Sequence, residues 1–173
     1  MDTLLLPARR LASLLITASL LLAAGASTAD VSPELRVDGM TFVGSRGSIN
    51  EFVLRAEHAI FLPDTDVAEL EVVDVSAASQ EKGKSFELTC DRGELNVQTN
   101  DFRAEGNVEG VNGEGQHYET SWVEYDHEEA LLFTDAPVLM VDDSGTFRGD
   151  GFRYHVKERR FQLLGNVRVV QTP

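Results

Sequence analysis

Histidines are the natural starting point for catalytic chemistry, because imidazole can act as a base or bind a metal near neutral pH. The chain has four of them, at His58, His117, His127 and His155. A hydrolase would also need an activated nucleophile, yet no G-x-S-x-G turn exists and the histidines lie in unrelated turns and strands. Paired carboxylates, as in glycoside hydrolysis, carry little information among 29 acidic side chains. These patterns argue against an enzyme.

Acidic segments of two types have residues that could bind metals. The first contains His117 and His127, and its acids are Glu119, Glu124, Asp126 and Glu128. The second type consists of the pairs Asp64 with Asp66 and Asp142 with Asp143. Neither has the ligand spacing of a zinc site or the full oxygen set of a calcium loop. We interpret them as solvated strand and turn residues and expect no metal or cofactor.

Cys90 is the only cysteine, so no disulfide can form within the chain. It continues the apolar alternation of Phe86 and Leu88. This position favours a small buried apolar residue over a reactive thiol.

The elements that would hold these residues repeat along the chain. Two runs of alternating apolar and polar residues flank a short polar turn, which predicts an antiparallel hairpin. The predicted turns lie at residues 63–66, 98–101, 126–129 and 157–160. In the last copy, the returning arm is expected to run from Phe161 through Val169. Units of about thirty residues that cannot bury an apolar face alone are typical of elongated β arrays.

Turn signals support the same fold class. Asn112 with Gly113, and residues 142–145, are typical hairpin turns. No run of about ten residues beyond the N-terminus has helical periodicity. We therefore expect an all-β sandwich, jelly roll or open-ended barrel.

The N-terminus has the features of an export signal. Arg9 and Arg10 precede an apolar run at residues 11–24, which predicts one hydrophobic helix. Small residues at 24–29 suit cleavage, whereas residues 11–29 nearly match the thickness of a hydrocarbon core, so both fates remain open. The predicted divisions are a signal peptide or membrane anchor at residues 1–29, a leader segment at 30–48 that forms an edge strand or a tether, and the β domain at 49–173.

The formal charge of −14 limits the choice of partners. Nucleic acid and anionic lipid surfaces both require clustered Lys and Arg, which an acidic domain does not provide. The apolar residues offer more, because those on one face of stacked hairpins would form either a filled core or a trough for acyl chains. The trough residues are Phe52, Leu54, Phe61, Phe86, Leu88, Leu95, Phe102, Tyr125, Phe133, Phe147, Phe152, Tyr154 and Phe161.

The order of the motifs resembles the LptC and OstA-like family of lipopolysaccharide transport proteins. The resemblance spans about residues 52–170 and rests on short motifs at 104–108, 134–138, 149–152 and 163–167. The middle copy departs from the others, because Asp135 and Ala136 replace the Gly and Asn of the flanking copies.

The resemblance implies a periplasmic, V-shaped β jelly roll that holds the acyl chains of lipopolysaccharide. It implies that one edge accepts lipid from an inner-membrane ABC transporter and that the other passes it to a soluble bridge protein of the same fold, by strand addition. We expect the acceptor edge near residues 40–52 and the partner edge at Leu163, Val167 and Val169. The protein would lie at the periplasmic face of the inner membrane, or be soluble in the periplasm if the leader is cleaved.

Two other classes stay open. The chain could be the soluble bridge component of the same pathway. It could also be a structural β-repeat protein of the envelope that binds no lipid. An enzyme ranks last, because no convergent set of catalytic residues is visible.

Overall fold

The computed structural model describes residues 33–47, 49–77, 85–158 and 160–171 of the 173-residue chain, and all regular secondary structure in these ranges is β. The strands are β1 (Leu35–Arg46), β2 (Ile49–Leu62), β3 (Val67–Ala77), β4 (Phe86–Asn96), β5 (Phe102–Asn112), β6 (His117–Asp126), β7 (Leu131–Thr134), β8 (Val138–Asp142), β9 (Gly145–Gly149), β10 (Gly151–His155), β11 (Arg160–Leu164) and β12 (Arg168–Gln171). The described ranges contain no helix with the length and apolar character needed to cross a membrane. The predicted N-terminal helix lies outside them.

The strands form one antiparallel sheet that follows the order of the chain. β1 to β7 pair successively. β6 pairs with β7 near its end and with β8 near its start, so β7 and β8 lie one after the other beside it. β8 pairs with β9 while β7 pairs with β10, and β9 pairs with β12 while β10 pairs with β11. Each of these last pairs, β7–β8, β9–β10 and β11–β12, is therefore one long strand broken in two. The sheet is a meander with β1 at one edge and β11–β12 at the other.

A crease crosses the sheet where residues drop out of the pairing register. These residues are Gly39, Glu57, Val72, Asp91, Gly106, Asn107 and Ser121 in β1 to β6. Side chains alternate between faces, so a skipped residue shifts the alternation and places inward residues three apart instead of two. Leu70 and Val73 in β3 show this spacing, and both are buried. The crease therefore bends the sheet without exposing its apolar face.

The crease divides the sheet into two parts. Half-sheet A contains residues 40–46, 49–56, 73–77, 86–90, 108–112 and 117–120 together with β8, β9 and β12. Half-sheet B contains residues 35–38, 58–62, 67–71, 92–96, 102–105 and 122–126 together with β7, β10 and β11. One hydrophobic cluster includes buried residues of both, such as Leu54 from A and Leu95 from B. The core thus lies between the half-sheets.

Two aspartates hold the crease at Gly–Asn pairs. In clamp 1, Gly106 and Asn107 both have positive φ, and the Asn107 amide donates to Asp91 at 2.8 Å. In clamp 2, Gly165 and Asn166 have positive φ, and the Asn166 amide donates to Asp150 at 2.6 Å. Asparagine and glycine tolerate this backbone region, and the charged acceptor fixes the bulge in place.

The predicted all-β antiparallel class is confirmed, and so are the predicted hairpins. Their turns join β2 to β3, β4 to β5, β6 to β7 and β10 to β11. The prediction of one returning arm from Phe161 to Val169 is wrong, because clamp 2 ends β11 at Leu164 and sends β12 to pair with β9 instead of β10. Of the two alternatives for the leader segment, the structure shows the edge strand, β1.

Candidate functional site: apolar rows between the half-sheets

Directly opposed residues of neighbouring strands point to the same face of a sheet. Followed from strand to strand, the register of each half-sheet connects one inward residue per long strand into a row that runs from edge to edge. Row A is Phe42, Leu54, Val75, Leu88, Gly110, Tyr118, Met140, Phe147 and Val169. Row B is Leu35, Phe61, Ala68, Leu95, Phe102, Tyr125, Leu132, Tyr154 and Phe161.

The rows are buried in the middle of the sheet and open at its edges. Leu54 and Leu95 are fully buried, whereas Leu35 in β1 is 57% exposed and Val169 in β12 is 52% exposed. No polar side chain interrupts either row except for the hydroxyl groups of its tyrosines. An apolar layer therefore continues from the first edge of the sheet to the last.

Most of the predicted trough residues lie together on this inner face. The buried ones are Phe52, Leu54, Leu88, Leu95, Phe102 and Phe152. The half-buried ones that pack against the same cluster are Phe61, Phe86, Tyr125, Tyr154 and Phe161. Phe147 stands opposite Met140 in row A, outside the densest part of the core.

Phe133 is the exception, and its predicted place on the shared face is wrong. Tyr125 pairs with Leu132, so Leu132 faces the core and Phe133 faces away from it. The Phe133 ring instead meets the Trp122 ring edge to face at 6.3 Å between centroids, and the Arg153 guanidinium lies 5.2 Å from it. These contacts stabilise the outer surface of half-sheet B.

Aromatic contacts connect the two half-sheets across the interior. Phe52 of half-sheet A meets Tyr125 of half-sheet B at 5.9 Å, and Tyr118 of A meets Phe161 of B at 5.3 Å. Phe161 also stacks on Phe152 at 5.2 Å. Sequence reasoning missed Tyr118, because the crease at Ser121 shifts the alternation of β6 between Tyr118 and Val123.

The environment of Tyr118 shows how the interior treats polar groups. Its hydroxyl donates to Gln116 at 2.8 Å and accepts from the Asn112 amide at 3.1 Å. Burial is the main cause that raises the pKa of Tyr118 to about 12. The phenol is neutral at physiological pH, so it adds no buried charge to the interior.

Glycines leave room for the rings against the sheet. A Cβ on Gly44 would lie 2.2 Å from the Phe52 ring, and one on Gly93 would lie 2.7 Å from the Phe102 ring. The two rings thus pack against bare backbone of the neighbouring strand. The interior is filled by such rings.

A polar group of residues closes one side of the interior, at the strand ends far from the crease. Arg46 Nε donates to Glu51 at 2.6 Å, and a second guanidinium nitrogen donates to the carbonyl oxygen of His127. Glu51 lies 3.3 Å from His127 Nδ1 and accepts from the Tyr125 hydroxyl at 3.5 Å. The hydrogen bond to Glu51 is the main cause that raises the pKa of Arg46, and burial raises the pKa of Tyr125.

Two of the residues considered above for chemistry, Cys90 and Asp142, have structural roles. Cys90 is buried, as predicted, and burial raises the pKa of its thiol to about 11, which leaves it unreactive. Asp142 accepts from the Ser144 amide at 2.8 Å and from the Gly145 amide at 3.1 Å, which is turn geometry. Across the described ranges, no three metal-binding side chains come together.

The predicted partner edge has two kinds of residue. Leu163 in β11 is half-buried against the core, while Val167 and Val169 are 48% and 52% exposed. β11 and β12 have partners on one side only, and so does β1 at the opposite edge. Unpaired backbone groups at both edges make them suitable for strand addition.

Comparisons with known proteins agree with this architecture. A family model described as "Lipopolysaccharide-assembly, LptC-related" matches residues 26–172. A search among curated proteins gives no match. Among 13 matching chains of solved structures is LptH from Pseudomonas aeruginosa, described as the LptA homologous periplasmic component of the conserved lipopolysaccharide transport device. The similarity has a TM-score of 0.57 at 13% identity and covers 70% of this chain and 95% of LptH.

At this identity the likeness to LptH shows a shared fold and nothing more. The family match is stronger, because it spans most of the chain and includes every strand of the sheet. The protein therefore belongs to the LptC-related family of lipopolysaccharide assembly.

Proposed function

We propose that this chain carries lipopolysaccharide across part of the periplasm, with the acyl chains held between the half-sheets. The observation that carries the proposal is the pair of apolar rows that run uninterrupted from β1 to the last long strand. Membership of a lipopolysaccharide-assembly family supports the same conclusion. The chain acts as a transport component and needs neither catalytic residues nor a cofactor.

Lipid and side chains compete for the same interior. Rings and leucines fill it in the described structure, so acyl chains enter only when the half-sheets separate about the crease. Each CH₂ group that a chain buries contributes about 0.8 kcal/mol, which offsets the loss of contacts between the half-sheets. A multi-chain lipid therefore opens the sheet progressively.

The two sheet edges provide the contacts for transfer. We propose that β1 receives lipid from an inner-membrane ABC transporter and that β11–β12 passes it to a periplasmic bridge protein of the same fold. Strand addition would extend both rows into the partner, because Leu35 and Val169 end them at exposed positions. Residues 1–29 would hold the chain at the periplasmic face of the inner membrane.

Co-purification of lipopolysaccharide with the full-length chain tests the proposal. Phe161→Glu places a charge in row B near an edge and should abolish lipid retention. Phe133→Glu is the matched control, since this ring lies on the neighbouring outer face and its replacement should leave retention intact. Equal loss or equal retention in both variants would show that the rows do not hold lipid.

Cross-linking tests the assignment of the edges. Photoreactive side chains at positions 167 and 169 should capture the bridge protein, while those in β1 should not. Capture from β1 alone would reverse the direction of transfer. Membrane fractionation of the full-length chain then separates this role from that of a soluble bridge component.

A further inference from the structure

The half-sheets are joined covalently only along the crease, so their far ends need other contacts to stay together. Arg46 and Glu51 lie at such an end of half-sheet A, and His127 follows β6 at the corresponding end of half-sheet B. Along with Tyr125, they join these far ends of the half-sheets by hydrogen bonds. We call Arg46, Glu51, Tyr125 and His127 the latch.

The latch is built around one carboxylate. Glu51 accepts from Arg46 at 2.6 Å and lies within 3.5 Å of both Tyr125 and His127. The β6–β7 turn that holds His127 is itself held in place, because the His127 backbone amide donates to the Asp101 carboxylate at 2.9 Å. Removal of the Glu51 charge would therefore weaken these three contacts at once and leave the Arg46 donation to the His127 carbonyl oxygen in place.

The surroundings of the latch allow it to open. The side chains of Arg46 and Glu51 are 36% and 25% exposed, so water can replace their contacts at low cost. His127 Nδ1 is buried but makes no hydrogen bond of good geometry. Directly beneath, Phe52 and Tyr125 form the edge-to-face contact that covers the interior. Opening would expose these rings to an incoming acyl chain.

The second aromatic contact between the half-sheets is different. Tyr118 and Phe161 meet there through their rings, and the structure pairs no charges between them. An acyl chain can replace a ring contact by another apolar contact. It cannot replace the hydrogen bonds that Arg46 and Tyr125 donate from one half-sheet to the other.

We infer that the latch controls the admission of acyl chains at the β1 end of the interior, a step that rests on the proposed function. In the closed state it holds the mouth of the sheet together, and its release precedes the separation of the half-sheets. A transporter contact on β1 or on the β1–β2 turn would act directly on Arg46 and Glu51.

Glu51→Gln tests the inference, because it keeps the shape of the side chain and removes its charge. The closed state should lose about 1 kcal/mol of stability, as is common when a partly exposed ion pair is removed. The uptake rate of fluorescent lipopolysaccharide should therefore rise about fivefold. Asp74→Asn is the matched control, since it breaks an ion pair with Arg55 at 3.4 Å on neighbouring strands of one half-sheet. Its uptake rate should equal that of the unaltered chain. Arg46→Met repeats the test from the other side of the pair.

A reversible lock gives the opposite prediction. In a Cys90→Ala background, a cleavable bismaleimide that joins the thiols of Arg46→Cys and His127→Cys should block uptake, and cleavage should restore it. Unchanged uptake in Glu51→Gln and in the locked protein would overturn the latch. Failure of every form, including the unaltered chain, to take up lipid would overturn the proposed function instead.

Hydrogen exchange provides a readout without lipid. Backbone amides of the β1–β2 and β6–β7 turns should exchange faster in Glu51→Gln, while those of clamp 1 keep their protection. Unchanged exchange at both turns would overturn the latch whatever the lipid does.

Discussion

Clamp 1 and clamp 2 contain the same residue types, but the strands continue through the first and break at the second. Both place an aspartate sixteen positions before an asparagine that it binds, and both hold a Gly–Asn pair at positive φ. β5 runs through clamp 1 without interruption, from Phe102 to Asn112. At clamp 2 the long strands break, so that β9 ends before Asp150 and β11 ends before Gly165.

The difference lies in the residues beside the aspartates and in the neighbouring strands. Cys90 precedes Asp91 and fills the space inside the crease. Gly149 precedes Asp150, where a Cβ would lie 2.9 Å from the carbonyl oxygen of Leu164. The backbones thus come close at clamp 2, where the Asp150 amide donates to that same carbonyl at 2.7 Å. Clamp 1 also has paired strands on both sides, whereas clamp 2 lies at the sheet edge.

Replacement of the clamp glycines by alanine should have the largest effect on stability. Gly106→Ala forces a Cβ into positive φ and to 2.7 Å from Asp91, so we expect the free energy of unfolding to fall by about 3 kcal/mol. Gly165→Ala meets Asp150 at 2.5 Å, yet its cost should appear mainly as faster hydrogen exchange in β12, because this short strand is exposed throughout. Chemical denaturation and hydrogen exchange measure the two effects.

Gly115→Ala is the control for backbone strain. Gly115 has φ of +82°, but a Cβ added there would have no atom within 4 Å beyond its chain neighbours, so only about 1 kcal/mol should be lost. If Gly106→Ala cost no more than Gly115→Ala, the aspartate would not hold clamp 1. If both clamp variants lowered global stability equally, the difference between centre and edge would disappear.

Sequence alone predicted the hairpins, because alternation and turn residues are local signals. It did not predict the crease, although a signal was present. Inward residues three apart, such as Ala56 with Ala59 or Cys90 with Gly93, recur at the same point of successive strands. The equal spacing of aspartate and asparagine in the two clamps was a second signal.

The errors at the site have the same origin. Phe133 was placed on the shared apolar face because Leu131 and Phe133 alternate like their neighbours, but register with Tyr125 turns Leu132 inward. Register depends on long-range pairing, which a local pattern does not determine. The apolar rows and the latch depend on the same pairing, so neither could be found before the fold.

Alkaline pH should loosen clamp 1 selectively. Burial raises the pKa of Cys90 from 9.0 to about 11, so the thiol contributes stability that is complete below pH 9 and lost as pH rises through 11. At pH 10 the loss should be on the order of 1 kcal/mol. Denaturation of the unaltered chain and of Cys90→Ala at pH 8 and pH 10 measures it.

The variant isolates the thiol, because all other titrating groups are common to both proteins. The unaltered chain should lose more stability between the two pH values than Cys90→Ala does. Clamp 2 has Gly149 in place of the cysteine and should not contribute to this loss of stability. An equal loss in both proteins would show that the thiol does not ionise differently on unfolding.

Replacement of Val72 should change the free energy of unfolding only slightly, and should raise it instead of lowering it. It crosses the crease in β3 with φ of 52°, where β1 uses Gly39 and β5 uses Gly106 and Asn107. A β-branched residue is strained in this region, whereas asparagine is tolerated. Val72 is 54% exposed, so Val72→Asn loses little burial and should stabilise the protein by about 1 kcal/mol. Val141→Asn, at a 38% exposed position of regular strand, should instead destabilise it by a few tenths of a kcal/mol. Destabilisation by both variants would mean that β3 crosses the crease without strain, and that glycine or asparagine is required only where an aspartate clamps the bulge.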